Sequence, residues 1–89
     1  MLKRKIDILS SSKNIESIFE EENAIVITLE KSLCLQNGFA TKFSNKLANV
    51  VEQLRVVFIN KRFVVRIIKS KQTLEILLYI LETIRSFDL

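Results

Sequence analysis

The sequence predicts a small two-layer α/β domain, α+β in looser usage, with a four-stranded mixed sheet and helices packed on it. Three observations carry that prediction. Short β-branched apolar runs alternate along the chain with stretches whose apolar residues recur three and four apart. Nearly half of the 89 residues are hydrophobic (48 %), with one Gly and no Pro, which suits a dense core with few long loops. The length and the absence of linkers or repeats make residues 1–89 one domain. The predicted order is β-α-β-α-β-β-α.

The totals also exclude classes. Disorder needs few apolar residues and much charge, the opposite of this balance. No apolar run approaches the roughly 18 residues of a membrane span. "MLKRKIDIL" has charge but no long apolar core, so it is not a signal peptide. Cys34 is the only cysteine, which precludes an internal disulfide and fits a reducing, cytoplasmic compartment. With no His and no activating partner beside it, Cys34 reads as a packed thiol. The net charge of +4 permits an anionic partner without requiring one.

In Lys3–Leu9, Ile6 and Ile8 alternate with charged residues, which predicts a short strand. Ser10, Ser11 and Ser12 then break the strand and can cap a helix. Ile15, Ile18 and Phe19 fall at i, i+3 and i+4, which predicts a short helix opposite Glu16, Glu20, Glu21 and Glu22. Glutamates at its C-terminal end oppose the helix dipole, so it should stop by about Asn23. Ala24–Leu29, "AIVITL", reads as a strand covered on both faces, central in its sheet. Residues 3–30 would then form a β-α-β unit with parallel strands.

Asn37-Gly38 marks a turn. Phe39, Phe43, Leu47, Val50, Val51 and Leu54 form the apolar side of an amphipathic helix, with Lys42, Asn45, Lys46, Asn49 and Gln53 opposite. Val56–Ile59 and Phe63–Ile68, joined by Asn60-Lys61-Arg62, predict an antiparallel hairpin. Gln72–Phe87 has no breaker and is rich in Leu and Ile, so it predicts a helix.

That last helix carries two apolar stripes: Leu74, Leu77, Leu78 and Leu81, and beside them Ile76, Ile80, Ile84 and Phe87. Together they span roughly twice the ~100° arc a surface helix needs. The surplus predicts a partner surface, most simply a twofold homodimer.

Catalytic and metal chemistry find no support. His, the commonest general base and metal ligand, is absent. A single Gly cannot build a phosphate loop. Glu20, Glu21 and Glu22 fan out on a helix and read as a solvated face. No catalytic residue, metal site or cofactor is expected, and the chain reads as not an enzyme. The clearest charge feature is basic: Arg55, Lys61, Arg62, Arg66, Lys69 and Lys71, with no acid among them. Such a cluster could neutralise phosphates, and Phe58 and Phe63 could stack on bases. The plainer reading is a solubilised hairpin whose charges discourage edge pairing.

The layout from Lys5 to Ser70 resembles the core of SepF-like cell-division proteins. "KNIESIFEEENAIVITLEK" (13–31) is similar to that family's first helix and following strand. "KFSNKLANVVEQL" (42–54) is similar to its long helix, and "RVVFINKRFVVRIIKS" (55–70) to its hairpin. The family's glycines before the second strand, at the helix–hairpin junction and in the hairpin are replaced here by Glu22-Asn23, Leu54-Arg55 and Asn60-Lys61. Its N-terminal membrane helix has no counterpart in "MLKRK", which is too short for that anchor. The resemblance implies a non-catalytic homodimer that binds the C-terminal tail of an FtsZ-type polymer. Phe43, Leu47, Val57 and Phe63 lie in the segments where that tail would pack. The alternative class is a nucleic-acid-associated protein using residues 55–71. Read as β-α-β-β-α, residues 24–87 also resemble, in element order, the small dimerising subunit of the KEOPS tRNA-modification complex.

Overall fold

The computed structural model describes residues 2–87. The elements are α1 (Leu2–Ser10), β1 (Ile15–Glu20), β2 (Ala24–Leu29), α2 (Lys31–Cys34) and α3 (Phe39–Leu47). A 3-10 segment (Ala48–Gln53), β3 (Leu54–Ile59), β4 (Arg62–Ile68) and α4 (Thr73–Arg85) complete the chain. The four strands form one sheet in the order β1-β2-β4-β3. The predicted α+β class, with helices packed on a four-stranded sheet, holds.

Residues 2–23 correct the prediction. Lys3–Leu9 lies in helix α1, and residues 15–20 are strand β1. Leu2, Ile6 and Leu9 fall at i, i+4 and i+7, a helical spacing that competes with the short Ile6/Ile8 alternation. The serines end this helix: Ser10 and Ser11 hydroxyls donate back to the Asp7 and Ile8 carbonyls at 3.2 and 2.6 Å. The misleading helical signal in β1 has a physical source. Ile15 pairs with Leu29 and Ser17 with Thr28, so Glu16 is the extra residue of a β-bulge. A bulge lengthens one step of a strand's period-two repeat to three. Ile15 and Ile18 therefore share a face three residues apart, the spacing of a helix turn.

β1 and β2 are joined by a tight loop, closed where the Glu21 N–H donates to the Ala24 carbonyl at 2.8 Å. So short a connection allows only antiparallel pairing. All three strand pairs are antiparallel, so neither the parallel β-α-β unit nor the mixed sheet forms. β2 is central, as its unbroken apolar run predicts, and the β3–β4 hairpin is in place.

Register sorts the side chains by face. Ile18, Ile27, Val65 and Val56 form one row across the sheet, and Ile25, Ile67 and Leu54 the next. These rows face the helices, and Ile27, Val65 and Ile67 join Leu33, Phe39, Phe43 and the inner side of α4 in one buried core. Phe19, Val26, Arg66 and Arg55 form a row on the opposite face, which no helix of the described residues covers. Antiparallel sheets tolerate one such solvated face.

The predicted long helix ends early. α3 stops at Leu47, and the 3-10 segment contains a kink at Val50 (φ −133°, ψ 20°). Val50 and Val51 are β-branched and poor at continuing a helix. Leu54 becomes the first residue of β3. Gly38, in the expected turn, sits just before α3 with φ +82°, a conformation that favours glycine.

Candidate functional site

The predicted partner stripe on α4 is the natural place to begin, and it is corrected. Ile76, Leu77, Ile80, Leu81 and Ile84 are buried within the single chain. Leu78 and Phe87 are half-buried, and only Leu74 is exposed (49 %). Phe87 meets Phe39 edge-on, ring centroids 4.8 Å apart. The surplus disappears because α1, expected as a strand, is a helix laid across α4. Arg85 Nη1 anchors it by donating to the Ile8 carbonyl at 2.8 Å. α4 is therefore enclosed by α1, α3 and β4 together. Tyr79, outside both apolar stripes, donates to the Lys46 carbonyl at 2.7 Å and accepts from Asn49 Nδ2 at 3.0 Å, tying α4 to the end of α3.

The unsatisfied apolar surface lies on β3. After Leu54, all of Arg55–Ile59 is exposed, and Val56, Val57, Phe58 and Ile59 are large apolar side chains among them. β3 is an edge strand. Beside it runs an apolar groove of about 280 Å³, lined by Phe43, Leu47, Val51, Val56 and Phe63, with Ser44 and Ala48. An aromatic series connects groove and core. Phe39 stacks on Phe43 at 5.1 Å, Phe43 lies 6.0 Å from Phe63, and Phe63 lies 4.8 Å from Phe58, which is 55 % exposed.

Of the four residues expected to receive a tail, the structure brings Phe43, Leu47 and Phe63 together in this groove. It does not bring Val57, whose register places it on the uncovered sheet face. Val51 and Val56 complete the groove and were missed. The helix predicted through Leu54 places Val51 on its apolar side, and the kink turns it outward (61 % exposed).

The basic cluster is divided. Arg62 Nε lies 3.0 Å from Glu16, Arg66 2.7 Å from Glu21, and Lys69 pairs with Glu20. These acids come from β1 and its turn, reaching β4 across the sheet. Glu20 and Glu21 are thus ion-paired rather than simply solvated. Among the described residues, Arg55, Lys61 and Lys71 have no ion-pair partner. The cover of Phe19 and Arg66 on either side explains why Val26 is buried on a face no helix covers.

Cys34 is buried, as expected, and its Sγ accepts the Phe63 N–H at 3.3 Å. Burial pushes its pKa up, against smaller downward contributions from that hydrogen bond and from Arg62. A thiol so held is a poor nucleophile. Two other hollows, one between β1 and α4 and one between the 3-10 segment and α4, contain no facing acid/base pair. Among the described residues no group of three His, Cys, Asp or Glu is placed to hold a metal, and no helix is long and apolar enough to cross a membrane.

No family model, no curated protein and no solved structure matches this chain.

Proposed function

We propose that the chain is a non-catalytic, homodimeric interaction module of the SepF-like kind, whose α3–β4 groove takes the tail of a protein partner such as an FtsZ-type polymer. The single observation that supports this best is the meeting of Phe43, Leu47 and Phe63 in one exposed apolar groove. The same three residues lie in the segments where the resemblance implies a tail would pack. A groove of apolar and aromatic side chains with few polar groups suits apolar anchors of an extended segment. Net charge of +4 favours an acidic tail. The helix that the resemblance implies for residues 13–22 is strand β1, so the support lies in residues 39–68 alone.

The test is titration of the chain with an acidic FtsZ-type tail peptide. Sub-millimolar binding that Val51→Asp abolishes is the expected result. No binding in that range, or binding indifferent to Val51→Asp, overturns the reading.

A second reading, nucleic-acid association or a dimerising role in an RNA-modifying complex, draws on unpaired Arg55, Lys61 and Lys71 around the hairpin. It is weakened by the glutamates that already neutralise Arg62, Arg66 and Lys69. Anisotropy with tRNA and duplex DNA at two salt concentrations separates the two: phosphate binding weakens steeply with salt.

A further inference from the structure

The outer edge of β3 has a specific hydrogen-bonding pattern. Asn60 and Lys61 form a two-residue turn with positive φ (53° and 64°), which makes Ile59 and Arg62 the closing hydrogen-bonded pair. Alternation along the ladder then directs the N–H and C=O of Phe58 and Val56 away from β4. Leu54, next in this series, already spends its N–H on the Val51 carbonyl. The open backbone groups of the edge therefore centre on Val57, as does the exposed run Arg55–Ile59.

Natural sheet edges are blunted by charges, prolines or bulges. β3 has no Pro and no bulge, and its only charge is Arg55 at one end. Its side chains are apolar on both faces, so a partner strand must be apolar on both faces as well. β3 itself meets that requirement.

We infer that two copies of this chain pair through β3, antiparallel about a twofold axis at Val57, to make one continuous eight-stranded sheet. In this register Val57 faces its own copy, Val56 faces the second copy's Phe58, and Arg55 faces its Ile59. Val56 and Phe58 exchange the backbone groups left open on both edges. Charge favours the same register. The two Arg55 residues stand about 13 Å apart along the seam, beyond the screening length at physiological salt. Lys61 at the turn of one copy comes to the end of the seam where Glu52 of the other stands, and both are exposed. Stacking the uncovered sheet faces would instead bury the Arg62–Glu16 and Arg66–Glu21 pairs, which is costly. The helices of both copies lie on one side, so the two grooves flank the seam. This inference supplies the interface for the homodimer in the proposed function, and it rests on that reading only for the dimer.

The experiment is light scattering from low micromolar to millimolar concentration, with circular dichroism to confirm folding. The wild-type chain should reach twice the monomer mass. Val57→Lys and Val57→Glu should each be monomeric, and an equal mixture of the two should recover the dimer mass. Val57→Cys should crosslink on mild oxidation, because directly opposed residues outside the hydrogen-bonded pairs approach closely enough for a disulfide. A wild-type chain monomeric throughout, or a folded Val57→Lys chain that stays dimeric, overturns the seam. Tail-peptide titration of the Val57→Lys monomer reads the groove independently. Binding retained after the wild type proves monomeric removes the seam and leaves the groove standing.

Discussion

The Phe63 N–H donates to Cys34 Sγ at 3.3 Å, joining α2 to the start of β4 beyond the last residue pair of β2 and β4. β2 leaves the sheet after Leu29, and the thiol replaces the carbonyl that a longer strand would have offered. Removing that acceptor leaves a part-buried amide unsatisfied. Cys34→Ala should cost about 1–3 kcal/mol in urea unfolding.

The same thiol predicts a pH dependence. Its folded pKa is raised above the ordinary thiol range, chiefly by burial. The raised value keeps the protonated, stable form in place below the unfolded pKa. Stability should therefore be flat with respect to this group below about pH 9 and fall as pH rises through the folded value. Cys34→Ala should remove that part of the slope in denaturant melts taken across the alkaline range. A thiol reagent should label Cys34 slowly in the native chain and rapidly in urea.

The β3–β4 turn is strained in a correctable way. Asn60 tolerates positive φ, but Lys61 at 64° does so against its Cβ. Lys61→Gly should stabilise the chain by about 0.5–1 kcal/mol, the strain relieved being partly offset by the freer unfolded chain. A rise in the urea midpoint with unchanged m-value checks it.

α4 should behave as a core helix. Leu81→Ala and Ile80→Ala should each cost about 2–5 kcal/mol. Leu77→Glu should unfold the chain rather than merely split an assembly. Leu74→Glu should change stability by no more than about 0.5 kcal/mol. Circular dichroism melts of the four variants separate a helix enclosed in its own subunit from one facing a partner.

The central strand, the β3–β4 hairpin and the final helix were legible because each carries one unambiguous period: "AIVITL", two β-branched runs about a short turn, and an uninterrupted Leu/Ile helix. Residues 2–23 were not. The bulge at Glu16 gave β1 a helical spacing, and the short α1 segment admitted either period. That early error propagated. With residues 3–9 read as a strand, the helix that packs on α4 is absent from the prediction, and the second stripe of α4 points to a partner instead. The groove was half legible: Phe43, Leu47 and Phe63 came from segment matching, whereas Val51 depended on a kink that no turn residue announces. Val57 went astray because segment matching does not say which face of a strand a residue occupies.

If copies of the chain meet at the β3 margin and not at α4, the outward backbone groups of β3 become hydrogen-bonded on assembly. Amide hydrogen exchange at Val56 and Phe58, followed against protein concentration, tests it most directly. Both outward amides should become protected as concentration rises, while the amides of β2 stay protected throughout. Exchange of Val56 and Phe58 at unprotected rates at every concentration would contradict it.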